Sequence, residues 1–262
     1  MATKPSTSAR RRWLRRLAVV VLALGLGAAW VWQRTLPFER VVVVGTAHAP
    51  VVEVERLLAV RPDSSALYSL DPALLAGRAE RHPWVRSASV RRMPTGTLRV
   101  RVEERTPVAL ALGRAGRPSH FLDAEGYAMP ASPSALYDVP VVRGAPAYHA
   151  VQPVADAAFR SLLAAFGRAD DATLALVSDV DWGGPVTLWT TPAGGHASVP
   201  VRLGRGGDYG DRLRRLRAFW DQSVLPRPAH AFRLVDLRFD GQVVTREGGA
   251  DEPEPTPPTP AS

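Results

Sequence analysis

Six histidines, at positions 48, 82, 120, 149, 196 and 230, are the first residues to test for metal binding or acid–base chemistry. A zinc site draws its ligands from clustered His, Cys or carboxylate groups, and two His ligands on one helix stand three or four residues apart. No pair of histidines here has that spacing. Cysteine is absent, which removes thiolate ligands and disulfides. The one lysine, Lys4, lies in a basic N-terminal tail, so the body has no lysine for a P-loop, a Schiff base or a Ser–Lys dyad. Ser64, Ser65 and Ser69 fall in a turn-rich loop without the Gly-x-Ser-x-Gly elbow of a serine hydrolase. His82, beside Pro83 at a helix end, suits capping better than catalysis.

One glycine-rich stretch remains. Gly204-Arg205-Gly206-Gly207-Asp208-Tyr209-Gly210 follows a strand pattern and precedes a helix pattern, the position of a dinucleotide-binding turn. Too little chain follows to build the rest of a Rossmann half, and the glycines read as a strand-to-helix loop that needs positive φ. Nothing local therefore supports a catalytic, cofactor-binding or metal site or a small-molecule substrate, and convergence of distant residues stays open.

The charge distribution narrows the choice further. Lys plus Arg number 33 against 25 Asp plus Glu, a net charge of +8. Six of those cations, Lys4, Arg10, Arg11, Arg12, Arg15 and Arg16, crowd into the first sixteen residues without an acid. The body is close to neutral, which argues against a nucleic-acid surface.

Between Arg16 and Arg34 runs the uncharged segment LAVVVLALGLGAAWVWQ, residues 17–33. As a helix it spans about 25 Å, enough for a bilayer when flanking anchors help. Trp13, Trp30 and Trp32 bracket it, and the upstream cations orient the N-terminus to the cytoplasm. ARRRWLR at 9–15 is close to a twin-arginine export signal, and Gly27-Ala28-Ala29 offers small residues for cleavage. The apolar run continues through Trp30-Val31-Trp32, which favours a retained anchor.

Beyond the anchor, FERVVVVGT at 38–46 is a β-branched strand ended by Gly45. Val51, Val54, Leu57 and Leu58 mark a short amphipathic helix begun at Pro50. Asp71-Pro72 caps a second helix that Pro83 stops near Arg81. Val85 to Arg92 is a strand, Met93-Pro94-Thr95-Gly96 a turn, and Leu98, Val100 and Val102 the inward side of another strand. Trp84 reads as the plug between helix and sheet. Arg91, Arg92, Arg99 and Arg101 offer a basic stripe to anionic lipid or nucleic acid, but interleaving with Glu103 and Glu104 makes them read as a solvated hairpin face.

Strand patterns then recur at 107–112, 119–123, 174–182, 185–191, 197–204, 232–239 and 242–246, separated by Gly, Pro and Asp. Two helical stripes interrupt them: Phe159, Leu162, Leu163, Phe166, and Leu213, Leu216, Trp220, Val224. From Gly248 the chain is Pro-rich without a large apolar residue, the composition of a disordered tail. The expected fold class is α+β: a basic tail (1–16), a transmembrane helix (17–33), a β-α-α-β-β module (38–106), a β-rich domain with two helices (107–247) and the tail (248–262).

That order, with GT at 45–46, HPWV at 82–85 and VRRMPTGTLRVRVEERTPVA at 90–109 behind a membrane helix, resembles the POTRA domain of the FtsQ/DivIB family of bacterial cell-division proteins. FLDAEG (121–126), VRLGRG (201–206) and VDLRFDG (235–241) resemble landmarks of that family's second domain, in order. The resemblance implies a divisome scaffold, not an enzyme, in the inner membrane, single-pass, with its C-terminal domains periplasmic and with partners of the FtsB/FtsL type. It implies a partner site at the final hairpin, here Phe239, Asp240, Gly241, Gln242, Val243, Val244 and Thr245, where many members have tyrosine at the position of Phe239. β-Strand addition at the last strand is the expected binding mode. The alternatives are a POTRA-bearing translocation or membrane-assembly chaperone and an exported soluble enzyme.

Overall fold

The computed structural model describes residues 7–62, 66–131, 136–192, 197–227 and 232–247. Ser64, Ser65, His196, His230 and the tail from Gly248 lie outside the described residues, as does Lys4. Contacts divide the chain into two units, Met1–Glu104 and Arg105–Ser262.

The first unit begins with helix α1 (Thr7–Thr35), whose stretch Trp13–Trp32 is long and apolar enough to cross a membrane. It continues through β1 (Arg40–Val44), α2 (Val51–Leu58), α3 (Pro72–Ala79), β2 (Val85–Arg92) and β3 (Thr97–Glu104). The β2–β3 turn closes where the Met93 N–H donates to the Thr97 carbonyl at 2.8 Å, with Gly96 at φ +76°. β3 is central: β2 lies antiparallel on one side of it and β1 parallel on the other, an arrangement that the two helices between β1 and β2 permit. The apolar sides of α2 (Val54, Leu58) and α3 (Leu75, Ala79) are buried, as are Leu98, Val100 and Val102 of β3. The Asp71 carboxylate caps α3 by accepting from the Ala73 N–H at 2.9 Å, as its position before Pro72 leads one to expect. The helix stops at Ala79, a turn short of Pro83.

Glu104 departs from the sequence reading. It leaves the hairpin's solvated face and accepts from the backbone N–H groups of Ala47, His48 and Ala49 at 2.8, 2.9 and 2.8 Å. Burial pushes its carboxyl pKa up, but these bonds outweigh burial and hold the group below the ordinary value. The loop between β1 and α2 is thereby wrapped on the end of β3. Trp84, 4% exposed, stacks on His48 of that loop with ring centroids 4.8 Å apart. The Trp84 N–H donates to His82 Nδ1 at 3.3 Å, while His82 Nε2 stands 3.2 Å from Glu53, so His82 is a structural bracket between α2 and β2.

The second unit is built on a nine-stranded mixed sheet. In chain order it contains β4 (Pro107–Leu112), β5 (Pro118–Asp123), β6 (Ala128–Pro130), β7 (Val141–Arg143), α4 (Ala157–Phe166), α5 (Asp171–Leu174), β8 (Val177–Asp181), β9 (Thr187–Thr190), β10 (Pro200–Arg202), α6 (Tyr209–Phe219), β11 (Phe232–Asp236) and β12 (Val244–Glu247). Across the sheet the order is β12-β11-β10-β9-β8-β7-β4-β5-β6. Phe159, Leu162, Leu163 and Phe166 of α4 and Leu213 and Leu216 of α6 enter one core with Trp182, Trp220 and Val235. Asp156 and Asp208 cap the two helices, accepting from Phe159 and Asp211 N–H groups.

Several boundaries differ from those the sequence suggests. Residue 174 ends α5, a helix too short for periodicity to reveal, and β8 starts only at Val177. β6 and β7 have three residues each and show no alternation to read. β11 stops at Asp236, and the last strand begins at Val244 instead of Gln242.

Replacing Trp84 by Ala should destabilise the first unit by about 3 to 5 kcal/mol through loss of a buried aromatic. Chemical denaturation followed by circular dichroism checks this, and coincident curves for variant and parent would contradict the packing.

Candidate partner-binding edge

β10, α6 and β11 form a strand–helix–strand crossover, and β10 and β11 run parallel with Val201 beside Val235. The chain then turns and returns as β12, antiparallel to β11, with Val235 opposite Thr245 and Asp236 opposite Val244. β12 is the outermost strand of the sheet, and among the described residues it pairs with β11 alone.

The sequence-derived site residues fall in two groups. Phe239 (51% exposed), Asp240, Gly241 and Gln242 form the turn, with Gly241 at φ +68° and the Gln242 N–H on the Phe239 carbonyl at 3.3 Å. Val243 is half-buried against the core. Val244 (46% exposed) and Thr245 belong to β12. Gln242 and Val243 therefore precede the strand, a two-residue correction caused by the turn's extra length.

Arg215 of α6 holds this turn, a role the sequence did not disclose. Its Nη1 donates to the carbonyls of Phe239 and Gln242 at 2.9 and 2.6 Å, and its Nη2 to that of Leu237 at 3.3 Å. Nε donates to Asp211 at 2.8 Å one helical turn earlier, which fixes the guanidinium's direction. Within RLRRLR (212–217) nothing sets Arg215 apart from its neighbours, so only the fold reveals it.

A second guanidinium braces the end of β11. Arg238 Nε and Nη2 meet the two Asp236 carboxylate oxygens at 2.9 and 2.6 Å. The Arg238 hydrogen bond holds the Asp236 carboxyl below its ordinary pKa, against the upward push of burial. Because Asp236 lies opposite Val244, this pair anchors the first rung of the edge ladder.

The opposite edge has a different character. β6 is three residues long, ends in Pro130 and buries Ala128 and Met129. Shortness, burial and proline all discourage strand addition. β12 is also short, at four residues, but it contains no proline and three of its four residues are exposed.

The glycine-rich loop at 204–210 holds its own side chains. Tyr209 Oη accepts from the Gly206 N–H at 2.8 Å and donates to the Gly204 carbonyl at 3.1 Å. Arg212 reaches the Gly206 carbonyl, and a Cβ on Gly207 would run into its guanidinium. The Asp208 carboxylate already occupies the Asp211 N–H at the start of α6, the donor a phosphate would need. Among the described residues no three His, Asp or Glu side chains gather as a metal site.

A helix–helix–hairpin unit with a parallel third strand, joined to a β domain with an open last strand, defines a POTRA-bearing class of protein. Residues 36–105 match the family model of the POTRA domain, FtsQ-type, and residues 106–246 that of FtsQ/DivIB, C-terminal related. A Rhodothermus marinus protein named cell division protein FtsQ is 49% identical over 91% of this chain and 88% of its own length. Its namesake in Salinibacter ruber is 40% identical over 88% and 90%, and that of Myxococcus fulvus 32% over 77% and 74%. The chain belongs to the FtsQ/DivIB family of cell-division proteins.

Replacing Arg215 by Met should accelerate amide exchange across residues 244–247 about tenfold or more, as expected when charge-assisted bonds of about 1.5 kcal/mol are lost. Hydrogen–deuterium exchange with mass spectrometry measures it. Asp236 has a lowered folded pKa, so its stabilisation is complete above the unfolded value and lost as pH falls through the folded one. Asp236→Asn should therefore melt below the parent at neutral pH, with the gap narrowing below about pH 4.

Proposed function

We propose that this family member is a bitopic inner-membrane scaffold of the division machinery, linking early- and late-arriving division proteins. α1 is the anchor, with the cytoplasmic basic tail on one side and both folded units on the periplasmic side. Partners of the FtsB/FtsL type add a β-strand to β12. The observation that carries this reading is the open edge itself: β12 is the terminal strand, exposed at Val244 and paired on one side. A strand there leaves alternate N–H and C=O groups free, and a partner segment satisfies them with main-chain bonds while side chains set specificity. Phe239, an exposed apolar ring beside the strand's entrance, is suited to receive a partner's apolar side chain.

In such a mechanism, blocking the backbone matters more than trimming side chains. Alternate N–H groups of β12 point toward β11 and away from it, so of Val244→Pro and Thr245→Pro one removes an outward donor. That variant should lose partner affinity at least about tenfold, the equivalent of about 1.4 kcal/mol. Val244→Ala keeps the ladder and should cost much less. Affinity for a purified FtsB/FtsL-type pair, measured alongside melting, is the test. Unchanged binding by both folded proline variants would exclude this edge.

A further inference from the structure

The three-stranded sheet of the first unit carries a second surface, made of arginine. On the face away from the buried Leu98, Val100 and Val102, Arg91 of β2 lies directly opposite Arg99 of β3, and Ser89 opposite Arg101. The four line a shallow depression and are exposed or nearly so. Like charges placed opposite one another across a ladder cost stability. Among the described residues Arg91, Arg99 and Arg101 enter no ion pair and no side-chain hydrogen bond.

The acids that would make this an ordinary solvated hairpin are engaged elsewhere. Glu104 has turned to the Ala47–Ala49 backbone. Glu103, at the far end of the face, accepts from the Ser87 hydroxyl at 2.9 Å. Arg92, by contrast, is committed to the core side, donating to the Leu70 carbonyl through Nε and Nη2. What is left is a cluster of exposed arginines, each with a planar guanidinium fork of the kind that recognises phosphate oxygens.

The segment leaving α1 determines which phosphates are within reach. Only residues 36–39 separate the end of α1 from β1, a span of about 17 Å at full extension. That segment is also tied down: the Leu36 carbonyl accepts from the Leu67 N–H at 2.9 Å, and the Glu39 N–H donates to the Gly96 carbonyl at 2.8 Å. The turn of the β2–β3 hairpin is therefore fastened beside the helix exit. Arg40 and Thr97 form the first rung of the sheet there, and Arg91 and Arg99 stand two residues further along, roughly 7 Å.

We propose that Arg40, Arg91, Arg99 and Arg101 form a docking face for anionic phospholipid headgroups of the bilayer that α1 crosses. The inference rests on α1 being a membrane anchor. Tethering makes the contact intramolecular, so that modest attraction suffices to orient the unit on the membrane. Each arginine removed should lower the docking constant roughly fivefold, the effect of one basic residue at an anionic surface.

The chain has no cysteine, so Met93→Cys at the exposed hairpin turn gives a single thiol beside this face for a donor dye and leaves the Ser87–Glu103 bond in place. The full chain is placed in nanodiscs of phosphatidylcholine, with or without phosphatidylglycerol, that carry an acceptor on the headgroups. Energy transfer should rise with phosphatidylglycerol, fall back in high salt, and be lost in Arg91→Glu/Arg99→Glu. Arg114→Glu/Arg117→Glu, with the same change in net charge on the other unit, should keep it. Arg99→Gln relieves a like-charge pair, so it should melt no lower than the parent while docking about fivefold less. Equal transfer in both kinds of disc, with the protein retained in them, would overturn the docking face and leave the anchor standing. Failure of the protein to stay in the discs would overturn the anchor. A response to poly-glutamate in neutral discs, with none to phosphatidylglycerol, would reassign the face to an acidic polypeptide and refute the lipid.

Discussion

An edge strand must be held from one side only, because whatever holds it from the other side competes with the partner. In the proposed binding mode, the turn that leads into β12 meets that constraint through the Arg215 guanidinium. Arg215 approaches the β11–β12 turn from α6 and gathers three carbonyls, fixing the path of the chain just before Val244 without touching the outer ladder. The crossover between β10 and β11 thus also carries the side chain that fixes the chain's path into β12. Asp236 and Arg238 brace the first rung of the same ladder.

The first unit uses the same economy with the opposite charge. There a carboxylate at the end of β3 gathers three N–H groups of the β1–α2 loop, and the loop presents His48 to Trp84. A single ion organises the chain next to a strand end in each case, cationic where carbonyls cluster and anionic where N–H groups do. Committing Glu104 in this way leaves Glu103 as the carboxylate at the end of the hairpin face, and among the described residues Arg91, Arg99 and Arg101 form no ion pair.

Much of this was legible in the residues. Asp71-Pro72, the Met93–Gly96 turn and the alternation of Leu98, Val100 and Val102 follow local rules that tertiary structure did not override. The apolar stripes of α4 and α6 are buried as their spacing indicates. Three-residue strands such as β6 and β7 left no pattern, since their pairing is decided by distant neighbours. At the candidate edge, FDG marked the turn but not its length, and Arg215 lay hidden in a run of arginines. Long-range contacts made by one side chain to backbone carbonyls have no sequence signature, because any backbone offers the same acceptors.

The contrast between the two ends of the nine-stranded sheet sets its valence. At β6 a short, buried strand ending in proline closes one margin, while β12 leaves the other open. A sheet with both margins open could chain copy to copy into a fibre. With one margin sealed, growth by strand addition is limited to a single direction from each copy, and two such sheets meeting edge to edge would exhaust each other. If a partner pairs with β12 as proposed, the nine-stranded sheet acts as a monovalent unit, receiving one strand at β12 and discouraging addition at β6.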